Sequence, residues 1–275
     1  MEYNNELKYN MNNSSKQNIV FIFTTGRSLS TAYLRTFLNC PEVKVFNDQF
    51  AQINNKDILI DKSKLSHEEL AKMLYNKIFQ IFDSNKNIKT VILKDICHIV
   101  YDFFLNVVKS WEKKFNTKYI YIVRHPKSSY ISLKKMLDEE YKLNRLPFDF
   151  LKSLENNEDY RSLWGLYKIF GGKVIISEEL QENPTKIFKE SFEFCSIKFN
   201  EEVLTYEPLN KIGIPEDMEF AKNWYVDAFN STYFRPGVTN IDSIIINDET
   251  VLKRLKISEE FYNMFLDERK KQLIK

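Results

Sequence analysis

The chain has 275 residues, enough to bury the core of one large domain or two small ones. Its formal net charge is only +2, which excludes a whole-protein field aimed at nucleic acid or an anionic membrane, so an anion site must be a local cluster of cations and backbone N–H groups. Three cysteines (Cys40, Cys97, Cys195) and three histidines (His67, His98, His125) are too few and too scattered for a disulfide framework, a cysteine zinc site or a histidine-rich metal centre; the thiols read as reduced and mostly buried.

In chain order, residues 1–17 are polar and Asn-rich, without the apolar stretch of a secretory signal, and are expected to form a disordered tail. Residues 18–275 read as one domain. No apolar run approaches the roughly 18 residues of a membrane span, so the expectation is a cytoplasmic protein with no membrane partner and no nucleic-acid partner.

Short apolar runs recur at 18–23 (NIVFIF), 43–46 (VKVF), 90–94 (TVILK), 118–123 (KYIYIV) and 173–177 (KVIIS). Helically patterned stretches separate them, at about 29–39, 66–82, 99–115, 127–141 and 149–170. Strands alternating with helices predict βαβ units and a parallel sheet covered on both faces; near-continuous apolar strands suit a sheet buried on both sides. After Ser177 the chain becomes helical: NPTKIFKESFEFCSI carries Pro184 near its start, PEDMEFAKNWYVDAF follows, and ISEEFYNMFLDERKKQLIK has a cap-like Ser258, acids early and bases late. The fold class is α/β, with a parallel sheet flanked by helices and a helical C-terminal part.

Two strand ends carry the chemistry. TTGRSLST follows the first strand and leads into a helix. Ligands of open α/β sheets bind beyond the C-terminal strand ends, where helix N–H groups lack intrahelical partners. Thr25, Gly26, Arg27, Ser28, Leu29, Ser30 and Thr31 therefore form a candidate anion loop, with hydroxyl donors, a guanidinium fork and a glycine for a tight turn or close ligand approach. It lacks the G-x-x-x-x-G-K-[ST] of a triphosphate loop. The competing reading makes Ser28 a helix cap and Arg27 a solvated surface residue. The second end, VRHPKSSYISL, places Arg124 after an apolar strand and Pro126 at a helix start, with Ser132 eight positions beyond Arg124. Taken singly, Arg124 reads equally well as a surface ion pair and Ser132 as a mid-helix hydroxyl. Together the two ends suggest a ligand with two separated phosphate-like groups.

In this paired order the motifs resemble those of sulfotransferases that use 3′-phosphoadenosine-5′-phosphosulfate (PAPS), whose first loop usually reads P-[RK]-S-G-[ST]-T-x-L. KVIISEEL is similar to a later strand of that family, and the resemblance covers roughly 18–195. It implies a P-loop sulfotransferase-like fold in which Arg27, Ser28, Ser30 and Thr31 bind the 5′-phosphosulfate while Arg124 and Ser132 bind the ribose 3′-phosphate. Arg235, with Gly237, would close over that phosphate, against the alternative of a turn before SIII. Leu29 replaces the usual loop glycine, and Gly26 stands where proline is common.

Sulfuryl transfer asks the protein for positioning, stabilisation of dispersed negative charge and removal of the acceptor proton; no metal is required. Arg27 and Lys94 would stabilise charge. For the base, Asp48 in NCPEVKVFNDQF resembles the position of a carboxylate in tyrosylprotein-type sulfotransferases, against the alternative of a turn cap. His98 in VILKDICHIV is the second candidate, against a structural histidine. The expected activity is sulfuryl transfer from PAPS to a hydroxyl or amine of a small-molecule acceptor, releasing 3′-phosphoadenosine-5′-phosphate (PAP). The alternatives are a P-loop small-molecule kinase and a non-catalytic adenine-nucleotide-binding protein. A homo-oligomer is left open.

Overall fold

Asn18–Thr24 forms β1, the central strand, and its apolar residues Ile19–Phe23 are almost wholly buried because both faces of the strand are covered. The computed structural model describes residues 16–47, 67–96, 111–142, 158–206, 231–234, 236–237 and 240–274. The other strands are β2 (Val43–Asn47), β3 (Thr90–Ile96), β4 (Asn116–Val123) and β5 (Lys173–Ile176). The sheet order is β2-β3-β1-β4-β5, and every pairing is parallel. All five strands expected from the apolar runs are present, within two residues at each end.

Seven α-helices lie among the described residues: α1 (Ser30–Arg35), α2 (His67–Ser84), α3 (Pro126–Lys142), α4 (Glu158–Phe170), α5 (Ser177–Glu182), α6 (Pro184–Cys195) and α7 (Glu249–Ile274). A 3₁₀ turn, Thr36–Asn39, prolongs α1. The alternation of β1 sorts the helices. Val20 and Ile22 face Tyr33, Leu34 and Phe37 of the α1 segment and Phe188 and Phe192 of α6. Phe21 and Phe23 face Ile78 and Phe82 of α2, Leu163 and Leu166 of α4, and Phe265 of α7. Each fully buried side chain of this size stabilises the fold by about 1.5–3 kcal/mol.

Local chemistry fixes the boundaries. Asn183 caps α6 by accepting from Lys186 N–H at 3.2 Å, and Pro184 occupies the first turn, where its missing N–H costs nothing. Gly171 ends α4 with φ 62° and donates to the Tyr167 carbonyl at 2.8 Å. Gly172 follows with φ 121°, and a Cβ there would lie 2.2 Å from the Tyr119 carbonyl oxygen, so only glycine turns the chain into β5.

Ser258 is not a helix cap. The last helix begins at Glu249, and Ser258 is buried within it. The cap is Asp248, whose Oδ1 accepts from the N–H groups of Thr250 at 2.9 Å and Val251 at 3.1 Å. Residues 1–15 of the N-terminal tail expected over 1–17, most of the helical stretch 99–115 and the one at PEDMEFAKNWYVDAF lie outside the described residues. No helix among the described residues is long and apolar enough to cross a membrane.

Candidate anion site between the ends of β1 and β4

The connection from β1 runs through α1 on the Val20/Ile22 face, and the connection from β4 to β5 runs through α4 on the Phe21/Phe23 face. The chain therefore leaves two adjacent strands toward opposite sides, and the crevice between their C-terminal ends is the topological switch point at which open α/β sheets bind ligands. Thr24 is in register with Ile122, so the loop after β1 and Arg124 after β4 flank that crevice.

The first loop is held in an unusual shape. Arg27 has φ 58° and Leu29 has φ 66°, while Ser28 between them is not left-handed. Each left-handed non-glycine residue costs about 1–2 kcal/mol, and such strain concentrates where function needs a shape. Gly26, by contrast, is not left-handed, and a Cβ there would meet only the Asp159 carboxylate at 3.8 Å, an ordinary contact. The turn thus does not require the glycine; the residues under strain are its neighbours.

Two side chains bonded to the loop carbonyls explain why the shape persists. Arg124 Nη1 donates to the Arg27 carbonyl at 3.0 Å, and Ser177 Oγ donates to the Ser28 carbonyl at 2.7 Å. Across a trans peptide the N–H points away from the C=O. Tying back the carbonyls of residues 27 and 28 therefore turns the N–H groups of Ser28 and Leu29 the other way. Alternating backbone handedness with successive N–H groups on one side is the geometry of an anion nest. The N-terminal amides of α1 continue it.

Ser28 is not the helix cap. Leu29 holds that position, without a side-chain cap bond. Ser28 Oγ is wholly buried and has no hydrogen-bond partner among the described residues, as does Arg124 Nε. A buried hydroxyl left without a partner costs about 1–3 kcal/mol. The donor set (amides, hydroxyls and guanidinium N–H) fits phosphate or sulfate oxygens.

The two loops are also joined directly. Arg27 Nε donates to Ser132 Oγ in α3 at 3.1 Å. Burial pushes the Arg124 guanidinium below its usual pKa; the Glu178 carboxylate pulls it back up and the neighbouring Arg27 charge pushes it down. Two guanidinium groups at one strand-end crevice make a local positive site on a chain of nearly zero net charge.

Residues without a motif hold these parts. Asp159 Oδ2, in the first turn of α4, accepts from Gly26 N–H at 3.3 Å. The Tyr160 hydroxyl donates to the Arg124 carbonyl at 2.6 Å and contacts Ser129 Oγ at 3.3 Å. Glu178 accepts from His125 N–H at 3.0 Å and from the Tyr262 hydroxyl of α7 at 3.2 Å. Glu178 lies in the SEEL stretch after β5, but nothing in the spacing of Asp159 and Tyr160 marks them.

Ser30 is buried beside the loop and Thr31 half-buried. Lys94 is 2% exposed in β3, in register with Ile22 and Asn47. It shares the face of Ile92, which is the face of α1. Asp48, His98 and Arg235 lie outside the described residues. Gly237 N–H donates to the Gln181 carbonyl at 3.1 Å, and Arg35 donates to the Ser231 hydroxyl and carbonyl, each at 3.1 Å, which docks the late segment near α5 and α1.

No protein-family model and no curated protein matches the sequence. Among solved structures, the sulfotransferase domain of the Synechococcus PCC 7002 olefin synthase aligns over 90% of this chain and 96% of its own, with a TM-score of 0.53 and 18% identity. The chain has a sulfotransferase fold. A sulfotransferase domain from the curacin biosynthetic pathway aligns over 88% of this chain and 98% of its own (TM-score 0.48, 16% identity). A mouse sulfotransferase complexed with PAP aligns over 92% of this chain and 86% of its own (TM-score 0.45, 12% identity).

Proposed function

We propose that the protein is a PAPS-dependent sulfotransferase acting on a hydroxyl or amine of a small-molecule acceptor. The observation that carries this reading is the pair of strand-end loops bound to each other by Arg27 and Arg124, with the carbonyls of Arg27 and Ser28 held by Arg124 and Ser177. Two linked anion subsites are what a nucleotide with a 5′-phosphosulfate and a 3′-phosphate requires, and this arrangement supports that reading.

PAPS, when bound, supplies the sulfuryl group. The nest of Ser28 and Leu29 amides, with Ser28 Oγ and Arg27, would take the 5′ end and stabilise charge on the departing phosphate. Arg124 and Ser132 would take the 3′-phosphate. A bond forms between the acceptor oxygen or nitrogen and sulfur as the sulfur–oxygen bond to the 5′-phosphate breaks. The acceptor proton passes to a base, for which Asp48 is the first assignment and His98 the second. Lys94 would steady the sulfuryl oxygens, and Arg235 would cover the 3′-phosphate.

Thermal unfolding with ligand tests the reading. PAP at about 100 times its Kd should stabilise the protein by about 2.7 kcal/mol, and ATP with Mg²⁺ by less. No shift with PAP, or a larger shift with ATP and Mg²⁺, overturns it. With an acceptor in hand, D48N should retain PAP binding and lose turnover; full activity in D48N transfers the role to His98.

A further inference from the structure

Two consecutive residues in the first turn of α4 reach both anion loops. Asp159 Oδ2 accepts from Gly26 N–H of the first loop at 3.3 Å. Tyr160 donates to the Arg124 carbonyl of the second at 2.6 Å and meets Ser129 Oγ, in the first turn of α3, at 3.3 Å. Tyr160 is 7% exposed, and its helix is anchored by Leu163 and Leu166, both wholly buried against the sheet. The bonds from Arg124 to the Arg27 carbonyl and from Arg27 to Ser132 tie the loops to each other, and the turn of α4 adds a hold on each from a third element. Here both loops are referred to one rigid turn that belongs to neither.

We infer that this turn of α4 is the spacer that sets the separation of the two anion subsites, which makes Tyr160 a specificity-determining residue and Asp159 its counterpart on the first loop. The inference rests on the function proposed above. A ligand with two separated anionic groups gains from both loops only when their spacing matches its own. A ligand with one anionic group settles into one loop whatever the spacing. Pre-set spacing therefore favours the bisphosphate, since the ordering cost is met before binding. Burial holds the Tyr160 phenol well above its usual pKa, so it stays a neutral donor across the working pH range.

The distinguishing quantity is the ratio of the Kd for adenosine 5′-monophosphate (AMP) to the Kd for PAP, measured by calorimetry on the full chain. A merely structural loss weakens both nucleotides alike and leaves the ratio unchanged; loss of the spacer lowers the ratio. Y160F should lower it by about tenfold, the size of one lost hydrogen bond in a buried setting, while the Kd for AMP changes less than about twofold. D159A should lower the ratio in the same sense, and D159N, which keeps an acceptor oxygen for Gly26 N–H, should restore it. Should Y160F fail to fold, the D159A and D159N pair carries the test. An unchanged ratio in folded D159A or folded Y160F overturns the spacer. A wild-type protein that binds PAP no better than AMP overturns the proposed function, and this inference with it.

Discussion

The Arg124 guanidinium donates to the main-chain carbonyl of Arg27 at 3.0 Å, so one side chain brings charge to the second loop and orients a peptide of the first. Charge alone does not replace it. Lysine offers a point charge on a flexible stem, where arginine offers a planar fork. R124K should weaken PAP binding by about tenfold and R124A by about 100-fold, the range of a charge-assisted hydrogen bond. Calorimetric titration measures both. Wild-type affinity in R124K would show that the carbonyl contact plays no part.

Leu29 stands at φ 66° where glycine is the ordinary choice. L29A and L29G remove nearly the same side chain but differ in tolerance for this backbone. In most contexts alanine is the more stable of the two, because glycine loses more entropy on folding. At a left-handed position the order reverses. L29G should exceed L29A in unfolding free energy by about 1 kcal/mol, measured by urea titration. The opposite order would mean that the residue leaves the left-handed region in solution.

The sheet and most of its helices were legible because burial on both faces writes uninterrupted apolar runs such as Ile19–Phe23, and because Pro184 in a first helical turn is a local signal. That the two strand-end loops meet was legible for a similar reason: Arg27, Ser28, Arg124 and Ser132 sit at fixed offsets from strand ends. What shapes those loops was not. Asp159 is 133 positions from Gly26, and Ser177 is 149 positions from Ser28; such contacts leave no spacing to read in a single chain. The start of α7 was misplaced at Ser258 because its polar and acidic neighbours imitate an N-terminus, whereas the true cap, Asp248, precedes a stretch of weak amphipathic pattern.

Cys40 and Cys195 are free and buried. Burial pushes the first thiol up to about 11 and the second up to about 12. The thiolate is the reactive species, so neither should react with a disulfide reagent at pH 8 while the protein is folded. In a C97S background, native protein should release no chromophore over the time that denatured protein releases two equivalents. Rapid labelling of the native C97S protein would contradict the buried placement of these residues.

Arg269 of α7 is 2% exposed and donates to Glu179 and Glu190, each at 2.8 Å; Lys173 reaches the same Glu190 oxygen at 3.0 Å. These bonds fasten α7 to α5 and α6, and Glu178, in the first turn of α5, meets Tyr262. Burial alone would raise the Glu190 carboxyl, but the hydrogen bonds from Arg269 and Lys173 outweigh it and hold the pKa below the ordinary 4.5. A carboxylate with a depressed folded pKa contributes stability that is fully present above its unfolded pKa and is lost as pH falls through the folded value. E190Q should therefore be less stable than wild type by about 1–2 kcal/mol at pH 7, less than a fully buried pair because Glu190 keeps part of its surface in water. The difference should hold from pH 7 to about 5 and shrink below about 4.5 as the wild-type carboxylate takes up its proton. Urea unfolding of both proteins between pH 3 and pH 7 reads this out. A difference that stays constant down to pH 3 would assign the effect to packing and not to charge.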